Sequence, residues 1–388
     1  MSDLNRATEI LGQLVARPTV SANSNLDIVH DMANLLADHG ARVEVMRDTS
    51  GQKANLFATI GPDAPGGIML AGHSDVVPVD DQDWSSDPFV MRVADGRAYG
   101  RGTCDMKGFI AACLAKAPDF AARDLSRPVH FAFTHDEEVG CLGGQSLALA
   151  LKHREARPNL AIVGEPTMMR IVEGHKGCCE YRVSFTGAEG HGSRPELGVN
   201  AVEYATRYVA RLMELRDELM HRAPPGGRFE PPWTSINLGR LVGGHVPNVI
   251  PGHAEVEWEM RPVQPGDADF VNHAIRTFAD GVLLPEMRRI HPEAAIETEV
   301  LGEIVGLEPA DTNAARRLVA ELTGANGADV LAFSTEAGLY QGVGMDVVVC
   351  GPGSIDQAHK PDEFLGLSQL VSCLDMLDGL VNRLGGHG

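Results

Sequence analysis

The chain has 388 residues, which is too long for one hydrophobic core and suggests two or three domains of about 150 residues each. Its hydrophobic content of 44% and charged content of 22% are typical of a globular protein, and no stretch approaches the roughly 18 apolar residues of a membrane span. The formal net charge of −20 argues against nucleic acid or an anionic membrane as a partner, because both require a clustered positive surface.

Two further features point to a reducing compartment. The first twenty residues contain no continuous apolar segment and instead place Ile10, Leu11 and Leu14 at helical spacing, so we expect no signal peptide. The cysteines number seven, which is odd, and they form no C-x-x-C pair. Two of them, Cys178 and Cys179, are adjacent. We therefore expect neither a disulfide framework nor a thiolate zinc cluster, but free thiols in a cytoplasmic protein.

Short apolar runs alternate with helical patterns over much of the chain. The runs are continuous rather than alternating, which is typical of strands in a sheet covered on both faces. They are Ile68–Ala71, Val129–Phe133, Leu160–Val163 and Val347–Cys350. Amphipathic helices are expected between them, among them the segment "MKGFIAACLAKA", which begins at Met106. The alternation predicts an α/β domain with a mixed, mostly parallel sheet.

The hydrophobic pattern changes near Gly177, where "CCEYRVSFTG" alternates apolar and polar residues as in an antiparallel sheet with one covered face. A long amphipathic helix is predicted from Asn200 to Met220, followed by a loop rich in proline and glycine. Sequence patterns typical of buried strands and helices return near Leu301. We therefore predict a first domain made of residues 1–176 and 302–388, interrupted by an inserted α+β domain over residues 177–301.

Polar residues follow the carboxyl ends of the predicted strands, where ligands bind in open α/β sheets. These residues are histidines and carboxylates that could converge on one place. They are His73, Asp75, Glu137, Glu138, Glu165 and His359, together with Asp105 at the opening of the amphipathic helix. Each has an ordinary alternative: a satisfied polar residue, a helix cap or a solvated turn. Carboxylates gathered in one crevice repel each other, however, so the set as a whole indicates a bound cation.

Histidine and carboxylate ligands without cysteine suit zinc, manganese or cobalt. The number of residues is sufficient for two divalent ions with a bridging carboxylate, and one carboxylate remains to act as a base for water. Asp75 lies two residues from His73 and could accept its second ring N–H. Other chemistries fit less well, because the nucleophile elbow, the H-E-x-x-H zinc motif and the phosphate-binding loop are each broken by a wrong residue.

Six motifs carry a resemblance to a known family. In chain order they are "MLAGHSDVVP", "YGRGTCDMKG", "THDEEVG", "IVGEPT", "GAEGHGSRP" and "GPGSIDQAHKPDE". The chain resembles the co-catalytic zinc aminoacylases and carboxypeptidases, a family that includes succinyl-diaminopimelate desuccinylase and acetylornithine deacetylase. Its segments "GHKGCCEYRV", "GVNAVEYA" and "FSTEAGLYQ" are most similar to the deacetylase branch. The resemblance implies a zinc-exopeptidase-like catalytic domain with an inserted lid and dimerisation domain.

The resemblance also implies the metal ligands. Asp105 would bridge two Zn²⁺ ions, for which Co²⁺ or Mn²⁺ could substitute. His73 and Glu165 would complete one site, and Glu138 and His359 the other. Hydrolysis of an N-acyl amino acid, a small molecule, would follow at this centre.

Further roles follow from the same resemblance. Glu137 would be the general base and Asp75 the residue that orients His73, while His191 would reach the active site of the partner subunit in a homodimer. Asn248 and Arg261 would hold the substrate carboxylate, although the text around Asn248 departs from the deacetylase branch.

The acyl group and the amine are not defined by these motifs. For an acetylated ornithine the substrate ammonium would need an acidic partner, and Glu336 in "STEAG" is the residue expected there; the alternative is a loop carboxylate that faces water. Other readings are a general aminoacylase, a dipeptidase or a desuccinylase of the same family, or an inactive binding protein of the same fold. No expected ligand is missing, which disfavours the inactive relative.

Overall fold

The four continuous apolar runs form the centre of an eight-stranded sheet in the computed structural model, which describes residues 2–385. The chain divides into two units. The first unit extends to Gly174, continues over Pro309–Val330 and resumes from Thr335, whereas the second comprises His175–Glu308 and Leu331–Ser334. Each unit has its own hydrophobic core.

The helices are named in chain order. They are α1 (Asp3–Val15), α2 (Leu26–Asp38), α3 (Gly108–Ala121), α4 (Leu142–Lys152), α5 (Ala201–Met220), α6 (Asp267–Phe278), α7 (Leu284–Ile290), α8 (Ala314–Thr323), α9 (Ala337–Gly342) and α10 (Leu367–Leu384). None of the helices between residues 2 and 385 combines the length and the apolar character that crossing a membrane requires.

The strands are named in the same way. They are β1 (Arg42–Arg47), β2 (Ala54–Ile60), β3 (Ile68–His73), β4 (Arg92–Ala94), β5 (Arg97–Tyr99), β6 (Val129–Thr134), β7 (Leu160–Pro166), β8 (Val172–His175), β9 (Cys178–Thr186), β10 (Gly190–His191), β11 (Ser235–Gly243), β12 (Val249–Ile250), β13 (His253–Arg261), β14 (Ala295–Ile304), β15 (Asp329–Leu331), β16 (Asp346–Gly351) and β17 (Phe364–Gly366).

The large sheet has the order β1-β2-β6-β3-β7-β16-β8-β15. Its four central strands, β6, β3, β7 and β16, are mutually parallel, whereas β1, β2 and β8 pair in the antiparallel sense. The predicted mixed sheet is thereby confirmed. Every residue of β3 and β6 is buried, as expected for strands covered on both faces. Since the central strands run in one direction, their carboxyl ends share one edge of the sheet.

Helix α3 packs closely against strand β7. Gly164 of β7 lies directly under the ring of Phe109, and a Cβ atom at this position would stand only 2.0 Å from the ring carbon Cγ. No larger residue fits without moving the helix. This close approach holds the amino-terminal end of α3, and the loop that leads into it, near the carboxyl end of β7.

The second unit is built on a four-stranded antiparallel sheet of order β11-β13-β9-β14. One face is apolar and packs on α5 and α6, with Tyr181, Val183 and Phe185 of β9 buried at alternate positions. Helix α5 begins where the sequence predicted, since the Asn200 side chain accepts a hydrogen bond from the Glu203 N–H at 3.2 Å. The edge strand β11 is largely exposed.

Candidate metal centre

Three segments bring ligands to the carboxyl edge of the parallel strands in the first unit. His73 is the last residue of β3, and Glu165 is the last but one of β7. Glu137 and Glu138 lie in the turn that follows β6. Because these three strands are parallel neighbours, residues at their ends meet, as the sequence predicted.

Asp105 reaches the same edge from a distorted turn. The sequence placed it at the opening of the amphipathic helix, but this position was wrong, because α3 begins only at Gly108. Asp105 has φ −121° and ψ 95°, and Met106 has φ −134° and ψ 33°, so neither residue is helical. The extended conformation turns the Asp105 carboxylate into the cluster instead of leaving it as a helix cap.

Asp105 lies between the two histidines. Its Oδ1 atom is 3.0 Å from His73 Nε2, and its Oδ2 atom is 3.3 Å from His359 Nε2. Glu165 Oε1 lies 3.8 Å from His73 Nε2, and Glu138 Oε2 lies 3.2 Å from His359 Nε2. One carboxylate is therefore shared by two pairs, each consisting of a histidine and a glutamate, which is the arrangement that a two-metal site requires.

The close packing of charged groups shifts the pKa values of the residues in this cluster. Burial is the largest influence on Glu137 and, with the carboxylates nearby, raises its pKa to about 8. Burial likewise raises the pKa of Glu138, and it raises that of Glu165 well above its usual range. Burial alone would lower the pKa of His73, but hydrogen bonds to Asp105 and Asp75 raise it. The pKa of His359 rises to about 10 because it is hydrogen-bonded to Asp105 and Glu138.

The donor set fits a divalent cation. Ligand atoms of His73, Asp105 and Glu138 all lie within 4.8 Å of one another. Glu165 Oε1 is buried and has no hydrogen-bond partner, which is costly unless a cation is bound there. Imidazole nitrogen and carboxylate oxygen atoms are the ligands of zinc, cobalt and manganese sites. The five residues named from the resemblance are thus brought together by the fold.

Asp75 supports the cluster in more ways than expected. His73 Nδ1 is 3.0 Å from the main-chain carbonyl oxygen of Asp75 and 3.6 Å from its carboxylate, so the shorter orienting contact is to the backbone. The carboxylate accepts hydrogen bonds from the N–H groups of Glu137 and Glu138 at 3.1 and 3.3 Å and from Ser21 Oγ at 2.7 Å. Asp75 therefore fixes the turn that carries Glu137 and Glu138.

Two residues near Glu137 were not found from the sequence. Ser21 lies 54 positions before Asp75, and the Cys141 thiol donates a hydrogen bond to Glu137 Oε1 over 3.4 Å. Burial raises the pKa of Cys141 well above its usual range, so the thiol keeps the proton it donates. Cys141 sits four residues after Glu137 in a turn, where the φ of 55° allows the side chain to fold back. Only the short spacing could have indicated this contact.

The second unit carries three further residues named from the sequence. His191 of β10 pairs with Val249 of β12, and the Gly192 N–H donates to the Asn248 carbonyl oxygen at 2.8 Å, so His191 and Asn248 are neighbours. His191 is exposed, and its Nδ1 accepts from the Ser193 N–H at 3.2 Å. This bond places the proton of the neutral ring on Nε2.

Arg261 lies at the end of β13, and one of its guanidinium nitrogens donates to Glu259 at 2.6 Å. The remaining N–H groups of the fork can still meet a carboxylate.

Glu336 is the expected residue whose surroundings differ most from both sequence interpretations. It is fully buried in the first unit, so the alternative of a loop carboxylate facing water is wrong. Its two oxygens accept hydrogen bonds from Thr134 Oγ1 and from the Tyr340 hydroxyl, each at 2.9 Å. Burial raises its pKa. A ligand ammonium would therefore meet Glu336 only if this buried network opened.

Known proteins resemble this chain in sequence over nearly its whole length. The sequence profile of peptidase family M20/M25/M40 matches residues 69–383. The acetylornithine deacetylase of Aliivibrio salmonicida (strain LFI1238) is 34% identical over 381 residues, which cover 97% of each chain. That of Klebsiella pneumoniae (strain 342) is also 34% identical, over 387 residues and 98% of each chain.

Solved structures share the fold at low sequence identity. An M20-family metallo-carboxypeptidase from Sulfolobus solfataricus superposes with a TM-score of 0.75 at 16% identity, covering 97% of this chain and 98% of its own. A dinuclear metal-binding peptidase of the M20 family from Bacillus subtilis gives a TM-score of 0.68 at 17% identity over 98% of both chains.

The cluster predicts that metal loading releases protons. Without a cation the pKa of His359 is raised to about 10, so its ring is protonated at pH 7, and the pKa of His73 is also raised, whereas a metal ligand must be neutral. Calorimetric titration with zinc at pH 7 should give different heats in two buffers of different ionisation enthalpy. The difference should correspond to the release of about one proton per chain or more. Zinc affinity should also weaken as the pH falls.

A His359→Gln variant is the matched control for this titration. It lacks one titrating ligand and should release fewer protons and hold about one ion fewer. Equal heats in both buffers for the unaltered protein would contradict the proposed protonation state of the cluster.

Proposed function

The chain belongs to peptidase family M20/M25/M40, and we propose that it is a metal-dependent amidohydrolase that removes the acetyl group from N2-acetyl-L-ornithine. The products would be L-ornithine and acetate, as in arginine biosynthesis. The observation that carries the proposal is the meeting of His73, Asp105, Glu138, Glu165 and His359 beside Glu137. Full-length identity of 34% to two acetylornithine deacetylases supports the choice of substrate.

Asp105 would be the shared ligand of two divalent ions, with His73 and Glu165 on one side and Glu138 and His359 on the other. Bound there, the ions would supply Lewis acidity and lower the pKa of water. Zinc is the metal we propose, with cobalt or manganese as substitutes. Seven buried free thiols support a reducing, cytoplasmic setting.

Glu137 would move the proton. Its carboxylate lies at the cluster, its main-chain N–H is held by Asp75, and its Oε1 accepts from Cys141. The ionised carboxylate can take a proton from the attacking water and return it to the leaving amine, and bound cations would favour that ionised form. His191 would assist by donating a hydrogen bond from its Nε2–H group to the oxyanion that develops on the acetyl carbonyl.

Variants of the adjacent acids Glu137 and Glu138 should distinguish the general base from the metal ligand. Glu137→Gln should retain both ions and lose about 10²- to 10⁴-fold in kcat, because only the proton acceptor is removed. Glu138→Ala should instead lose one ion per chain. Metal content by emission spectroscopy and kcat for N-acetyl-L-ornithine check both variants. Equal metal loss in the two would show that the roles of the pair were assigned wrongly.

Recognition of the substrate would use charge at both of its ends. Arg261 would fork onto the α-carboxylate, with Asn248 beside His191 as a second donor. Glu336 would attract the δ-ammonium once its buried network with Thr134 and Tyr340 opens. These three roles are proposals that rest on the resemblance and on the charges available.

The substrate assignment predicts a preference between two analogues. N-acetyl-L-ornithine should exceed N-acetyl-L-norvaline, which lacks the amine, by about 10- to 100-fold in kcat/KM, because the buried Glu336 would otherwise have no cationic partner. Glu336→Gln should shrink this preference, whereas Tyr340→Phe, which removes a hydrogen bond to Glu336 but keeps its charge, should preserve it. Metal content should not change in either variant.

If the unaltered enzyme hydrolyses both analogues equally well, or prefers N-acetylmethionine, the ornithine assignment fails and a general aminoacylase becomes the better description. If the preference survives in Glu336→Gln, Glu336 does not bind the ammonium, and its role is restricted to the hydrogen bonds with Thr134 and Tyr340.

We also propose that the second unit joins a second copy of the chain in a homodimer. Strand β11 is the edge of its sheet, and Leu238, Leu241 and Val242 expose 36%, 47% and 41% of their surface. An exposed apolar edge strand is a template for pairing with another chain. In such a dimer His191 would serve the centre of the partner copy.

The dimer predicts complementation between inactive subunits. Equal amounts of His191→Ala and Glu137→Gln chains, exchanged by mild denaturation, should regain about a quarter of the original activity, because half of the dimers are mixed and each has one complete site. Self-exchanged samples of each variant are the controls. If verified mixed dimers stay inactive, His191 acts within its own chain or has no catalytic role.

A further inference from the structure

A buried carboxylate outside the proposed ligand set is engaged by the loop that carries Asp105. Glu363 exposes only 1% of its surface and lies four residues after His359 in the sequence. Its Oε1 accepts from the N–H groups of Cys104 and Asp105 at 2.8 and 3.1 Å. Its Oε2 accepts from the N–H group of Gly102 at 3.0 Å. Three main-chain donors of one loop thus converge on one side chain.

The conformation of the loop explains why an anion is needed. Gly102 has φ 82°, and the irregular residues that follow it leave their N–H groups without the helical partners that they would otherwise find. Successive N–H groups turned toward one point form a concavity with partial positive charge. The Glu363 carboxylate fills that concavity, and hydrogen bonds to an ionised acceptor are the stronger kind.

A second branch of the same network leads to His359. Arg101 donates to Glu363 Oε2 at 2.6 Å, and both side chains are almost completely buried. The other terminal nitrogen of Arg101 donates to Gln82 Oε1 at 2.7 Å, and Gln82 Nε2 donates to the main-chain oxygen of His359 at 3.0 Å. The loop of Asp105 and the loop of His359 are therefore tied to one buried ion pair.

We propose that Glu363 is a positioning residue of the metal centre, which sets Asp105 directly and His359 through Arg101 and Gln82. The inference rests on the proposed two-metal function. It predicts an asymmetric effect, because Asp105 and His359 are two of the three ligands proposed for one ion, whereas the other ion also has His73 and Glu165. A residue that only stabilised the fold would not distinguish the two ions.

Glu363→Gln tests the proposal, because the amide keeps the shape but turns an N–H donor toward main-chain donors. Calorimetric titration of metal-free protein with zinc chloride should show one ion bound nearly as in the unaltered protein. The dissociation constant of the other ion should rise about 10- to 100-fold. Cobalt chloride, followed by its visible absorption, provides a second readout that does not depend on activity.

Glu173→Gln is the matched control, since Glu173 is also buried and paired with an arginine, Arg316, outside the metal cluster. It should lower the melting temperature of the metal-free protein and leave both dissociation constants unchanged. The same pattern in Glu363→Gln, lower stability with both ions bound normally, would overturn the positioning role. Wild-type protein that failed to bind two ions would instead refute the proposed function itself.

Gln82→Met provides the answer if Glu363→Gln does not fold. Gln82 is only half-buried, and the substitution removes its hydrogen bonds to Arg101, Trp84 and His359 while Arg101 stays paired with Glu363. The weaker ion should lose affinity by several-fold while the tighter ion is unaffected. Unchanged affinities for both ions in this variant would also overturn the proposal.

Discussion

Four carboxylates share one buried edge of the sheet with only two imidazoles to balance them. Asp105, Glu138 and Glu165 each form an ion-pair contact with a histidine, Glu137 is buried near them, and burial makes the charged state of the glutamates costly. The raised pKa values of the glutamates express this cost. Two bound divalent cations would offset this cost, because their charge balances the four carboxylates and gives Glu165 Oε1 the partner that it lacks.

The surrounding structure keeps these groups close despite their repulsion. Parallel pairing of β3 with β6 and β7 brings three ligand segments to one edge, and the packing of Phe109 on Gly164 holds the fourth nearby. Asp75 and Glu363 then fix two turns by accepting main-chain N–H groups. Such supporting contacts determine the orientation of metal ligands, and their loss commonly weakens metal binding.

The sequence was informative where burial dominates. Continuous apolar runs predicted the central strands, and the alternating pattern beyond Gly177 predicted the antiparallel sheet with Tyr181 and Val183 buried. The antiparallel pairing of the consecutive strands β1 and β2 at the edge was not predicted, because in the first unit only the continuous apolar runs were taken as strands. Asp105 was misplaced at a helix start, because nothing in a local pattern reveals that its dihedrals depart from the helical range.

The proposed ligands were also more accessible to sequence analysis than the hydrogen-bond network behind them. His73, Glu138 and Glu165 follow apolar runs, so their position could be predicted from the strands. Glu363 and Arg101 are separated by 262 positions, and charged side chains are usually exposed, so neither residue signalled that both would be buried. Glu336 shows the same limit, since its burial against Thr134 and Tyr340 depends on the packing of distant segments.

The most direct test of the account is an anomalous-diffraction measurement on zinc-loaded crystals at the zinc edge. We predict two peaks at the carboxyl edge of the sheet, one contacted by His73 and Glu165, the other by Glu138 and His359, and both by Asp105. A single peak, or peaks without Asp105 between them, would contradict the two-metal centre on which the proposed function rests.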